Sequence, residues 1–302
     1  MSEVSWGMKT NVISFRKLQK KAADIWSLFV ARKINVVALV GVLLFVLIAV
    51  FAEQVSPYDP NATSFFERLQ APSAAHILGT DTFGRDVFSR LVFGARVSLL
   101  VGTLSVLIAA AIGTVLGMCC AYFHGWFDNV VMRICEAFRA IPQVIMATVL
   151  IAILGNSMRE MTLIMALTAV PTYIRMMRAS VLSTMSNEYI MVEKLQGQRS
   201  IEIMFRHLLP NSVSPIIVLM TQSVGFTIMA ESGLSFLGLG ISIPTASWGT
   251  MLNDAKDYLM MQPIYAIAPG VAITLLVLCL NLLGDGIRDI MDPRLRGTLK
   301  GR

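Results

Sequence analysis

The stretch Asn187-Glu188-Tyr189-Ile190-Met191-Val192-Glu193-Lys194-Leu195-Gln196-Gly197, followed a few residues later by Arg206-His207-Leu208-Leu209-Pro210-Asn211, decides how this chain is read. It is polar and amphipathic, and it lies between two apolar segments. Helices in a bundle are commonly joined by roughly two to eight residues, so an insert this long is built for more than reversing the chain. Tyr189, Ile190, Met191, Val192 and Leu195 share one broad side of a first short helix. Residues 200–209 read as a second, with Ile201, Met204, Phe205 and Leu208 at i, i+3, i+4 and i+7. Gly197 sits where the chain must reverse, and glycine tolerates left-handed dihedrals. The expected product is a stubby helical projection with an exposed apolar end. Such an end either lies on lipid or inserts into a groove of a soluble partner.

The surroundings of this insert are apolar. The 302 residues are 55% hydrophobic and 15% charged, against roughly 25% charged in a soluble domain. Residues 34–52, 97–123, 141–154, 161–174, 208–230 and 264–284 carry no Asp, Glu, Lys, Arg or His. A spanning helix needs about 20 apolar residues, and four of these runs suffice alone. The third must borrow from Ala137 onward, with Arg139 snorkelling to the interface. The fourth must run on towards Val181, past Arg175 and Arg178. The expectation is an all-α membrane protein with six transmembrane helices.

The net charge of +6 raises nucleic acid as a partner, but the basic residues sort by loop. With the N-terminus inside, only Arg68, Arg85, Arg90, Arg96, Arg159 and Lys256 of the 25 Lys and Arg fall outside. That asymmetry obeys the positive-inside rule. It places both termini and residues 186–211 in the cytoplasm, and no nucleic acid is expected. Ala52 could pass as a signal-cleavage residue. However, 33 residues precede the apolar run, and signal peptides are roughly 15–30 residues in all, so an uncleaved anchor fits better. Cys119, Cys120, Cys135 and Cys279 have neither a disulfide framework nor metal spacing.

Four regions follow: a basic arm over 1–33; a first transmembrane helix and external loop over 34–96; a core over 97–290 that contains the loop 186–211; and a tail over 291–302. The external loop ends in a segment where Asp81, Arg85, Asp86 and Arg90 either close ion pairs in a folded collar or face a soluble partner outside. Gly113 and Gly117 have the spacing that lets membrane helices approach closely. Pro171 and Pro215 are expected to kink their helices. Residues 233–240, with three glycines, read as a bent or re-entrant piece. Glu231 is an ionisable group at membrane depth or at its edge. It is either functional or an interfacial glutamate pairing with a neighbouring helix end. Trp248 fits an interfacial anchor.

Reactive chemistry is sparse. There is no G-x-x-x-x-G-K-[ST] phosphate loop and no H-E-x-x-H, and His76, His124 and His207 are scattered. No catalytic residue, metal site or ATPase site is expected, so any work done draws its energy from another chain.

The polar insert resembles the "EAA" loop of importer-type ABC permeases. Gly197 and Leu209-Pro210-Asn211 match that loop, and Glu188-Tyr189 and Arg206-His207 match its peptide branch. The triplet itself departs, being Met191-Val192-Glu193 with Lys194 after it. Gly79-Thr80-Asp81, Gly84-Arg85-Asp86, the run 234–240, Ser247-Trp248-Gly249 and Gly284-Asp285-Gly286-Ile287-Arg288-Asp289 with Asp292-Pro293 are similar to the C-type permease subunit of dipeptide, oligopeptide and nickel importers. The likeness covers residues 34–294.

This resemblance implies a type I ABC importer permease fold in a bacterial or archaeal cytoplasmic membrane. It implies a homologous B-type permease, two ABC ATPase subunits that bind the ATP and Mg, and an extracytoplasmic solute-binding protein. The chain itself would hold no cofactor. ATPase coupling would fall to Glu188, Tyr189, Met191, Val192, Glu193, Leu195, Gly197, Arg206, Pro210 and Asn211. The external, binding-protein side would hold Asp81, Arg85, Asp86, Arg90, Glu231 and Trp248. Di- and oligopeptides lead as substrates, with nickel or a metal chelate, glutathione and opines following. A proton-coupled carrier and a membrane scaffold are the alternatives of another class.

Overall fold

The computed structural model describes residue 27 and residues 29–291, without the side chains of Met191 and Lys194. Most of the basic arm expected over 1–33 lies outside the described residues. So do residues 292–302 of the tail, with Asp292-Pro293.

The described secondary structure is helical, apart from one isolated bridge between Thr80 and Asp86. Helix α1, Lys33–Val50, is apolar around its whole circumference, as a lipid-facing helix must be. An irregular collar then leads to α2, Val87–Phe123, whose 37 residues extend about 55 Å at 1.5 Å per residue. Asp86 caps α2, accepting from the Ser89 amide over 2.7 Å. Next come α3, Gly125–Ala140, and α4, Gln143–Leu154, which meet at 94°. Helix α5 is Met158–Met185, and α6 is Glu188–Leu195. Three contiguous turns, Ser200–Glu202, the wider Ile203–Leu208 and Leu209–Ser212, make up α7. Helix α8, Ser214–Leu234, continues into a wide turn at Ser235–Leu239. The short α9, Trp248–Ala255, precedes α10, Pro263–Met291.

Four helices among the described residues are long and apolar enough to cross a membrane: α1, α2, α8 with its extension, and α10. The bent pair α3–α4 makes a fifth if counted as one span. The expected borrowing of Ala137 and Arg139 by the third span is corrected by this bend. Ile141 precedes Pro142, and its dihedrals are extended (φ −98, ψ 129), as the proline ring demands of the residue before it. Pro171 stays within the continuous α5. Pro215 lies in the first turn of α8, just after the break at Val213 between α7 and α8, where its missing N–H costs nothing. The bent piece after α8 is present, with Gly238 at φ 85.

Helices α2 and α5 are the hub. They run parallel in close contact: Ser105 Oγ donates to the Thr162 carbonyl over 2.9 Å, and further along Gly113 meets Tyr173 and Gly117 meets Ile174 and Met177. A Cβ on Gly113 would collide with the Tyr173 Cβ. The collar packs at the start of α2, whereas α6 and α7 share a core with its end, through Met118 and Ala121. The two therefore sit at opposite ends of the molecule. At the collar end Trp248 is buried, donating its indole N–H to the Leu91 carbonyl over 2.8 Å. It packs edge-on against Phe45 at 5.8 Å. The interfacial-anchor expectation is thereby corrected: Trp248 is a core residue, because its one polar atom is satisfied inside.

Gly113→Leu is predicted to push α5 off α2 at about 1–3 kcal/mol, the usual cost of overpacking. The thermal midpoint of the purified protein in detergent should fall. Gly233→Ala, at a position that faces open space, should leave it in place.

Candidate functional site

The helical projection is formed by α6 and α7. Asn187 closes the exit from α5 by donating its side-chain amide to the Thr184 carbonyl over 2.9 Å. Beyond α6 the Gln196 amide donates to Val192 (3.0 Å) and the Gln198 amide to Glu193 (3.3 Å). The latter is the six-to-one bond of a Schellman turn. Gly197 supplies the left-handed residue that turn requires, at φ +73. His207 Nε2 lies 4.0 Å from Glu193 Oε1, across the two helices. Arg206 pairs with Glu202 at 3.1 Å, and Asn211 donates to the His207 carbonyl over 2.6 Å.

The apolar side chains divide into a root and a tip. Ile190, Ile203, Met204 and Leu208 are buried in one core with Tyr173 and Met177 of α5. Leu195 is 82% exposed, Ile201 71% and Phe205 51%, and Tyr189 and Val192 are also exposed. The apolar stripe read over 200–209 is thus split: Met204 and Leu208 face the bundle, whereas Ile201 and Phe205 face outward. Glu188, Gly197, Arg206, Pro210 and Asn211 are exposed on the same projection, while the Met191 side chain lies outside the described residues. Polar bonds fasten the root. The Thr184 and Ser212 hydroxyls are 2.7 Å apart, and Ser180 Oγ donates to the Ser212 carbonyl over 2.9 Å.

Asp81, Arg85, Asp86 and Arg90 are all buried at the opposite end. Asp81 Oδ1 accepts from the amides of Phe83 (2.8 Å) and Arg85 (2.9 Å). Its Oδ2 accepts from Arg85 Nε over 2.5 Å and lies 3.6 Å from Arg90 Nε. Arg85 also reaches Asp254 of α9 at 3.4 Å, and Asp86 Oδ1 lies 2.9 Å from His76 Nδ1. The four side chains thus make polar contacts within the collar and with α9. Burial raises the Asp254 carboxyl above its usual range, and the nearby Arg85 and Arg90 offset only part of that rise. Glu231 is also buried. It accepts from Ser235 Oγ over 2.7 Å and Ser232 Oγ over 3.4 Å, and Ser247, the N-cap of α9, is a third serine partner, so the reading in which it pairs with a neighbouring helix end holds.

One pair escaped sequence reasoning. Arg178 of α5 donates twice to Asp128 of α3, both bonds 2.6 Å. This fork-on-fork geometry fixes α3 across α5. An arginine at the edge of an apolar run was the available signal, but its partner is 50 residues away.

The model of the binding-protein-dependent transport system inner membrane component family matches residues 113–297, which include the projection and most of the hub. The chain belongs to this family. A second model, the N-terminal TM domain of oligopeptide transport permease C, matches residues 22–72 of this permease. A glutathione transport system permease protein of Pectobacterium atrosepticum is 40% identical over 286 residues, spanning 94% of this chain and 95% of that one. A dipeptide transport system permease protein of Alkalihalophilus pseudofirmus is 40% identical over 282 residues, spanning 92% and 93%. Among solved structures, an inward-facing form of the MetNI methionine ABC transporter matches with TM-score 0.54 at 18% identity. That match covers 67% of this chain and 96% of the other, and it shows the ABC permease fold. The chain is a C-type ABC importer permease, as its resemblance implied.

Gly197→Val is predicted to strain the turn by about 1–2 kcal/mol, the cost of a left-handed residue with a side chain. Membrane insertion should be unchanged, while protease cleavage within 188–208 in membrane vesicles should accelerate. Unchanged cleavage would contradict the need for glycine in this turn.

Proposed function

We propose that this permease is the transmembrane subunit of an ATP-driven importer of small peptides, and that it forms the translocation path with a homologous second permease. The observation that carries this reading is the projection. Its tip leaves Leu195, Ile201 and Phe205 exposed, while its root is part of the α2–α5 core. An exposed apolar tip on a rigid root suits insertion into a cleft of an ATPase subunit. Full burial of each such side chain is worth about 1.5–3 kcal/mol, so three of them support a stable contact. Closure of the ATPase pair on ATP would then drag α5 and α2 through the buried root. Such a drive requires the contact to differ between the two ATPase states.

The chain makes six passes in this reading: α1, α2, α4, α5, α8 and α10. Helix α5 holds Arg175 and Arg178 towards the projection end, and α4 is completed by the turn at Pro142. Both termini and the projection are cytoplasmic, and the collar lies on the outer face of a bacterial cytoplasmic membrane. Two ATPase subunits bind ATP and Mg, and a solute-binding protein delivers substrate to the outer face. Dipeptides and glutathione are the leading substrates, because relatives bearing both names are 40% identical to this chain.

Leu195→Asp should lower co-purification of the ATPase subunits by about tenfold, the equivalent of 1.4 kcal/mol, with retention of the second permease unchanged. Undiminished ATPase recovery would contradict the docking role.

A further inference from the structure

We infer that the outer cap holds a preformed pocket for a zwitterion, the free ammonium and carboxylate of a small peptide, with Arg90 receiving the carboxylate and Asp254 the ammonium. This site rests on the peptide-import reading and extends it to named residues. A cavity of about 320 Å³ opens between the start of α2, the turn after α8 and α9. Arg90, Asn156, Ser242, Thr250, Asn253 and Asp254 contribute to its lining. At the small end of ligand-site volumes, roughly 300–1,000 Å³, it suits one or two residues rather than a long peptide.

Two observations point to a charged ligand. Arg90 is 2% exposed, yet its Nε lacks a hydrogen-bond acceptor among the described residues. The nearest carboxylate oxygen, of Asp81, stands 3.6 Å away, at ion-pair but not hydrogen-bond distance, and Nη1 donates to the Pro60 carbonyl over 3.2 Å. A guanidinium paired this loosely keeps donor capacity, and a carboxylate entering the cavity would take it up. Asp254 is the second. Its side chain keeps 25% of its surface open and is held by Arg85 at 3.4 Å, a loose bond that leaves acceptor capacity.

The wall between them is already built. Asn156 donates to the Gly240 carbonyl over 2.7 Å, and Asn253 to the Phe236 carbonyl over 2.5 Å. These bonds fix the turn without a ligand, so little ordering remains to oppose binding. The charges also discriminate between ligand classes. A simple anion would meet Asp254 and Asp81 beside Arg90. A metal cation would find Asp254 as the one carboxylate on the lining and Arg90 opposing it. A molecule carrying both charges satisfies both groups.

The test places Ser242→Cys, at the exposed rim of the cavity, in the full complex with partner permease and ATPase subunits. The complex is reconstituted without the binding protein, and modification by an impermeant maleimide from the outer face is timed. Millimolar dialanine should slow modification about fivefold, corresponding to a mostly occupied site. N-acetyl-dialanine and dialanine amide should have little effect. Adding Asp254→Asn should reduce dialanine to the effect of its N-acetyl form, and Arg90→Met to that of the amide. Absence of protection by dialanine, or equal protection by all three compounds, overturns the site. ATP-dependent uptake of dialanine and of glutathione, measured in parallel with the binding protein restored, separates the two levels. Uptake without protection removes the pocket alone, whereas no uptake and no protection removes the peptide reading as well.

Discussion

Everything in this permease hangs on the contact between α2 and α5. Gly113 and Gly117 remove the side chains that would hold the helices apart, and the backbones at Tyr173 and Ile174 move into the space. In a bilayer no hydrophobic force drives helix on helix, so close packing of this kind is what holds the bundle. One end of the pair carries the projection, and the other carries the collar. Packed interiors shift between discrete arrangements rather than stretch, so a push at the first end has a rigid path to the second.

The two ends are built from opposite chemistry. The projection buries an apolar root and leaves an apolar tip outside, a surface that makes sense only when something covers it. The collar does the reverse, burying Asp81, Arg85, Asp86 and Arg90. Buried charges are poor contributors to net stability, because desolvation offsets their attraction. Their bonds to the Phe83 and Arg85 amides and to Asp254 give the cap a single geometry around the cavity at α9.

Much of this was legible from residues alone, for identifiable reasons. Apolar length is what a bilayer asks of a helix, so the charge-free runs mark α1, α2, α8 and α10. Glycine at position 197 between two amphipathic pieces marks the turn, because few other residues adopt φ +73. The stripe over 200–209 was visible as a period, but not its division, since which half faces the bundle depends on where α5 lies. Trp248 looked interfacial because its indole N–H needs a partner, and the Leu91 carbonyl that satisfies it is 157 residues away. The run over 141–154 reads as a helix reaching back to Ala137, and the turn at Pro142 that breaks it goes with the bond between Asp128 and Arg178, which holds α3 across α5. Long-range pairing of this sort has no local signature.

The measurement that bears most directly on the driven role of the projection is the sidedness and occupancy of position 195. A protein with its four native cysteines replaced and Leu195→Cys introduced is labelled with a membrane-impermeant maleimide, in intact cells and in inverted vesicles. Labelling confined to inverted vesicles, and suppressed there when the ATPase subunits are bound, is the predicted result. Labelling in intact cells, or labelling in inverted vesicles that the ATPase subunits leave untouched, would contradict it.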